Sequence, residues 1–149
     1  MREPYSTLFP LLCDSVRDLM AEHPECHGVD HTMRVWHNAR AILEKERADR
    51  TVVEYAAWLH DVGRVTEFAD EGQSCHATVG AEMVPKIRAT IGVDDDTFID
   101  HVADCVRTHR YRARNGQVPT SIEARIVYDA DKLDSLGAIG IGRAFHFAG

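Results

Sequence analysis

Apolar residues recur along this chain with the period of an α-helix almost from end to end. From about Ser6 to Met20, the residues Leu8, Leu11, Leu12, Val16 and Leu19 share one face and predict a first amphipathic helix. Pro24 to Gly28 interrupts the pattern. Asp30 then stands where a cap is needed for a second helix, from about His31 to Ala48, with Val35, Ala39, Ile42 and Leu43 inward. Thr51 and Glu54 have the spacing of a capping box for a third helix. Its stripe (Val53, Ala56, Ala57, His60) runs up to His60-Asp61, and Gly63 is placed to end it. The polar stretch from Arg64 to Ser74 reads as a loop. A fourth helix is predicted from about His76 to Ile91 on Val79, Gly80, Met83, Val84 and Ile87. Asp94, Asp95 and Asp96 suit the positive end of a fifth, which continues through Phe98, Val102, Cys105 and Val106 to His109. A basic loop from Tyr111 to Thr120 holds Asn115-Gly116 and Pro119. Ser121 caps a sixth helix from Ile122 to about Leu136, and a glycine-interrupted seventh follows from Ala138. No stretch alternates as a strand does. The pattern predicts an all-α bundle of about six or seven helices.

The histidines fall at revealing places in that pattern. His31 opens the inward stripe of the second helix, and His60 closes that of the third. His76 opens the fourth, and His109 closes the fifth. Short connections make successive helices antiparallel neighbours, so these starts and ends all arrive at one end of the bundle. A buried imidazole beside a buried carboxylate, as at His60-Asp61, needs a partner. That partner is either a metal ion or simply each other within a polar patch of the core. Asp131 lies late in the sixth helix, and the loop before that helix is long enough to return the chain. Its segment, Asp129-Ala130-Asp131-Lys132-Leu133-Asp134, reads by default as a solvated acidic face. It lacks the glycine and closing glutamate of a calcium-binding helix–loop–helix.

Composition narrows the classes. A length of 149 residues suits one domain spanning 1–149, and a hydrophobic content of 44% is that of a globular protein. A formal net charge of −7 argues against general binding to nucleic acid. No apolar run reaches membrane-spanning length, and Met1-Arg2-Glu3-Pro4 does not open a signal peptide. Cys13, Cys26, Cys75 and Cys105 are widely spaced without a CxxC pair, which predicts reduced, buried thiols and a cytoplasmic protein. The 9 histidines against 17 Lys plus Arg form an unusual excess that points to metal chemistry. The Gly137-Ala138-Ile139-Gly140-Ile141-Gly142 run has neither a preceding strand nor a Gly-Lys-Ser/Thr ending, so close helix packing is its expected role.

Taken together, His27-Gly28-Val29-Asp30-His31 with Arg34-Val35, then Leu59-His60-Asp61-Val62-Gly63-Arg64, then Asp129 to Asp134 resemble the HD superfamily of metal-dependent phosphohydrolases. The likeness runs on through Ser135 to Phe145. It implies an HD-domain helical bundle with His31, His60, Asp61 and Asp131 as ligands of a first divalent transition metal (Mn, Fe, Ni, Co or Zn). His76 and His109 match the H…HD…H…H…D order of binuclear members, which implies a second ion with Asp61 as the bridge. No Glu-Asp pair follows the HD segment, which disfavours alarmone hydrolysis, and no Gly-Tyr-Pro signature is present, which disfavours cyclic-di-GMP cleavage. The expected substrate is a small phosphorylated molecule of the nucleotide kind. Asp61, Arg64 and Lys132 would act on its phosphoryl group. Arg110, Tyr111 and Arg112, within a cluster with Arg107 and Arg114, would form a phosphate- and base-binding rim. A homodimer fits the expectation. Members of the family continue beyond the position of Phe147-Ala148-Gly149, so part of the pocket is expected to lie past it. Two other readings share this ligand set, a mixed-valent di-iron oxygenase and a non-catalytic metal-binding sensor. Oxygen uptake on bound iron would mark the first, and folding without turnover the second.

Overall fold

A computed structural model describes residues 1, 3–21, 28–110 and 117–148. Among these the only regular secondary structure is helical, with no strand. The helices are α1 (Tyr5–Leu19), α2 (Val29–Leu43), α3 (Arg50–Leu59), α4 (Arg64–Ala69), α5 (His76–Ile91), α6 (Asp96–Thr108), α7 (Ile122–Leu133) and α8 (Gly137–Ala148). None is long and apolar enough to cross a membrane.

The bundle is built around α3. Every residue from Thr51 to Gly63 is buried, as befits a helix that carries apolar side chains on all sides. It is packed by α1, α2, α6 and α7, while α5 lies on α6 and α2 on α7. Aromatic rings knit α1 to this centre. Tyr5 stacks on Phe98 with ring centroids 4.4 Å apart, and Phe9 sits 5.3 Å from Tyr55. Tyr5 Oη donates to Asp95 Oδ2 at 2.7 Å, and Tyr55 Oη donates to the Tyr5 carbonyl at 2.9 Å. The buried face of α1 is Tyr5, Leu12, Cys13 and Val16. Leu11 and Leu19, expected on that face, are exposed, because a helix of this length needs only a narrow stripe against α3.

The caps differ in part from the expected ones. α3 is capped by Asp49, whose carboxylate accepts from the N–H groups of Thr51 and Val52. An extended aspartate ahead of the first turn reaches those donors, so Thr51 sits inside the helix. Glu54 is thereby released from any capping box and accepts instead from Trp36 Nε1 at 3.0 Å and Arg50 Nη1 at 3.1 Å. α2 begins after Gly28, with Asp30 inside its first turn, where a negative charge meets the positive helix end. It stops at Leu43, short of Ala48, and α7 stops at Leu133, short of Leu136. Asp95 and Ser121 cap α6 and α7 as the sequence predicts. The polar stretch after Gly63, expected as a loop, contains α4. An Arg64–Glu67 pair at 2.9 Å braces that single helical segment, and its inward groups are charged, so no apolar period announces it.

Gly63 does not end α3, which closes at His60, but it is sterically required. A Cβ there would lie 2.1 Å from the His76 carbonyl oxygen and 2.6 Å from the Gly80 nitrogen. The α3–α4 corner therefore crosses the start of α5 backbone to backbone, which brings His76 beside Asp61. Gly137 turns the chain into α8 with φ of 69°, while Gly142 faces open space, so the close packing expected of that glycine run is absent there. Cys13 and Cys105 are buried, and burial pushes their thiols up to about 11 and about 12. Cys75 is only half-buried, and Cys26 lies outside the described residues.

Two substitutions test this architecture. Gly63→Ala is expected to lower stability by about 1–3 kcal/mol through overpacking, read as a fall in Tm. An unchanged Tm would show that the corner yields freely. Asp49→Ala is expected to cost about 1 kcal/mol through the lost cap, measured by urea denaturation.

Candidate metal centre

Each histidine of the centre is delivered by a helix end. His31 lies in the first turn of α2 and His76 is the first residue of α5, whereas His60 and His109 are the C-caps of α3 and α6. The four rings form an arc, with neighbouring centroids His31–His60, His60–His109 and His109–His76 at 5.2, 5.1 and 5.2 Å. Asp61 sits inside that arc. Its Oδ2 is 3.5 Å from His31 Nε2 and 3.6 Å from His60 Nε2. Its Oδ1 is 3.5 Å from His109 Nε2 and 3.6 Å from His76 Nε2. Asp131, from α7, brings Oδ1 to 3.4 Å from His31 Nε2. The donors thus fall into two trios, His31–His60–Asp131 and Asp61–His76–His109, each with its atoms within 4.8 Å of one another.

Every ring has its outer nitrogen engaged. His60 Nδ1 donates to the Ala57 carbonyl at 2.8 Å, and His109 Nδ1 to the Val106 carbonyl at 2.6 Å. His31 Nδ1 meets Asp134 Oδ2 at 2.7 Å, and His76 Nδ1 meets Glu67 Oε2 at 2.8 Å. These acceptors fix the proton on Nδ1 and leave each Nε2 lone pair pointing inward. His76 Nε2 and Asp61 Oδ2 are buried with no hydrogen-bond partner. His60 Nε2 and His31 Nε2 face each other at 3.2 Å, lone pair against lone pair unless one ring takes a second proton. Burial drives His60 down to about 4 and His76 lower still, so both are neutral bases at ordinary pH. Burial also opposes a charge on His31, but Asp131 and Asp134 outweigh it and raise its pKa. Burial likewise opposes ionisation of Asp61, yet the Arg64 guanidinium beside it holds its carboxyl well below the usual range. An anion ringed by inward lone pairs calls for a cation. Imidazole with carboxylate is the donor set of a divalent transition metal.

The other residues singled out from the sequence take these places. Arg64 Nε donates to Asp61 Oδ1 at 3.1 Å and its Nη1 to Glu67 Oε2 at 2.9 Å. Lys132 Nζ contacts Asp131 Oδ2 and lies 5.2 Å from the Tyr128 ring centroid. Arg110 Nη1 is 3.4 Å from Glu67 Oε1 and donates to Cys75 Sγ at 3.2 Å. Tyr111, Arg112 and Arg114 lie outside the described residues. Asp131 is the least buried member of the two trios, 15% exposed against 2% or less for the others. The centre therefore opens toward α7, with Lys132 at its lip. Sequence reading missed Glu67 and undervalued Asp134, which is gripped by Arg34 Nε at 2.6 Å and Arg143 Nη1 at 2.6 Å. The Arg64–Glu67 spacing at i, i+3 was the available signal.

The model of the HD domain family matches residues 28–136. The Bacillus subtilis (strain 168) protein YpgQ is 34% identical over 134 residues, which covers 90% of this chain and 63% of that protein. The crystal structure of YpgQ superposes with a TM-score of 0.72 over 97% of this chain and 67% of that one, at 30% identity. A predicted HD superfamily hydrolase from an uncultured Thermotogales bacterium superposes with a TM-score of 0.76 at 34% identity, over 93% of this chain and 74% of that one. A Lactobacillus plantarum protein gives 0.76 at 27% identity, over 99% of this chain and 64% of its own. The chain thus spans just under two thirds of YpgQ's length. With the ordered histidines and aspartates converging on one buried centre, the chain belongs to the HD domain family.

Proposed function

We propose that this protein is a metal-dependent phosphohydrolase that cleaves a phosphoester or pyrophosphate bond of a small phosphorylated molecule, a nucleotide in the first instance. The observation that carries the reading is Asp61. One buried carboxylate turns one oxygen to the Nε2 atoms of His31 and His60 and the other to those of His76 and His109, each at 3.5 or 3.6 Å. His31, His60 and Asp131 would hold a first divalent ion and His76 and His109 a second, with Asp61 shared between the two. Mn, Fe, Ni, Co and Zn all suit these ligands. Bound there, such ions supply an acidified water and polarise a phosphoryl oxygen.

The chain's own groups do the rest. Arg64 keeps Asp61 anionic and oriented, although burial works against that charge. Lys132 stands at the open side beside Asp131, where its ammonium would neutralise part of the substrate's phosphate charge. Arg110 pairs with Glu67, and Arg110, Tyr111 and Arg112 are the residues proposed to bind the substrate's phosphate and base. The dry interior strengthens each of these electrostatic contacts.

Elemental analysis of the purified protein is expected to find about two transition-metal ions per chain. His109→Ala should lose one and Asp61→Asn should impair both. Metal content unaffected by Asp61→Asn would sink the shared-carboxylate reading. With Mn(II) and a panel of nucleoside phosphates, phosphate or pyrophosphate release should be seen, and Lys132→Ala should lower kcat/KM by about 10²-fold. Iron with oxygen uptake and no phosphate release would move the protein to the oxygenase reading. Metal retention without any turnover would make it a sensor.

A further inference from the structure

The two trios share a plan that extends one layer outward. Each takes one ring from a helix start, His31 on α2 and His76 on α5, and one from a helix C-cap, His60 after α3 and His109 after α6. The two C-cap rings are backed by main-chain carbonyls three residues earlier, at 2.8 and 2.6 Å. No side-chain substitution removes those acceptors. The two helix-start rings are instead backed by carboxylates, Asp134 at 2.7 Å and Glu67 at 2.8 Å. Each carboxylate is in turn gripped by two guanidinium groups. Arg34 and Arg143 hold Asp134, both at 2.6 Å. Arg64 and Arg110 hold Glu67, at 2.9 and 3.4 Å.

We infer that Glu67 is the positioning residue of the Asp61–His76–His109 trio, the counterpart of Asp134 in the other, and that Arg110 acts on that trio through it. The inference rests on the two-ion reading above. On its inner side no hydrogen bond orients the His76 ring, because Nε2 is buried without a partner and Asp61 Oδ1 is 3.6 Å away. The Glu67 contact is thus what selects the Nδ1–H tautomer of His76 and aims its Nε2 lone pair at Asp61. A carboxylate acceptor also makes that nitrogen a stronger donor to a metal, and loss of such an outer partner typically weakens metal binding by about 10–100-fold. Arg64 ties this outer carboxylate to the trio itself, since it bonds Asp61 Oδ1 and Glu67 Oε2 at once.

The test is calorimetric titration of the full chain with Mn(II), with circular dichroism to confirm folding. Wild type should show two binding events. Glu67→Gln should weaken one by about 10–100-fold and leave the other unchanged, and Asp134→Asn should weaken the other one. Glu67→Asp, which keeps the charge one methylene further back, should fall between wild type and Glu67→Gln. Side-chain nitrogen NMR without added metal should find His76 as the Nδ1–H tautomer in wild type and as a tautomer mixture in Glu67→Gln, a change that a purely structural role would not produce. Two wild-type events that persist in Glu67→Gln, with an unaltered His76 signature, would overturn the role of Glu67 alone. Fewer than two events in wild type would overturn the two-ion reading and this inference with it.

Discussion

The structure depends on keeping one carboxylate charged in a place where charge is costly. Asp61 is buried at the hub of the bundle, where an unpaired ion would cost several kcal/mol. The protein meets that demand with geometry on every side. Arg64 takes one oxygen from the α4 side, and two pairs of imidazoles flank the two oxygens. None of those groups is close to Asp61 by chain proximity alone except His60 and Arg64. The rest arrive because α2, α5 and α6 all bring an end to the same pole.

That convergence explains a crowded contact at the centre of the fold. The α3–α4 corner runs against the first turn of α5 so closely that Gly63 has no space for a Cβ, with Gly80 facing it across the gap. Packing this tight brings His76 to within 3.6 Å of Asp61. The same crossing sets α4, and with it Glu67, directly behind His76. Structural economy and the layout of the centre are one constraint here. The open side lies opposite, where Asp131 and Lys132 are partly exposed, so the donor set is dry at its back and accessible at its front.

Much of this was legible in the linear pattern. An amphipathic period is a local property, and it located seven of the helices, of which α5 and α6 kept nearly their expected bounds. The positions of His31, His60, His76 and His109 at stripe ends were also local facts, and antiparallel succession of helices then implied their convergence. Caps were less legible where two candidates stood close together. Asp49 captured the start of α3 because backbone conformation, which the sequence does not display, placed its carboxylate over the free N–H groups.

What the sequence by itself determined is the helical class, the metal-seeking character of the donors and the pole at which they meet, because each follows from periodicity and residue chemistry. Only tertiary structure decided how the donors divide. That Asp131 joins His31 and His60 while Asp61 turns one oxygen to each trio depends on the angles at which α2, α3, α5, α6 and α7 cross. The outer carboxylates belong to the same category. Glu67 lies in a polar stretch without an apolar period and Asp134 at the very end of a periodic one, and both become recognisable only when an imidazole from another helix arrives at 2.8 or 2.7 Å. Hydrogen bonds between residues 103 and 9 positions apart leave no periodic trace in a chain, since their distance is set by packing and not by spacing.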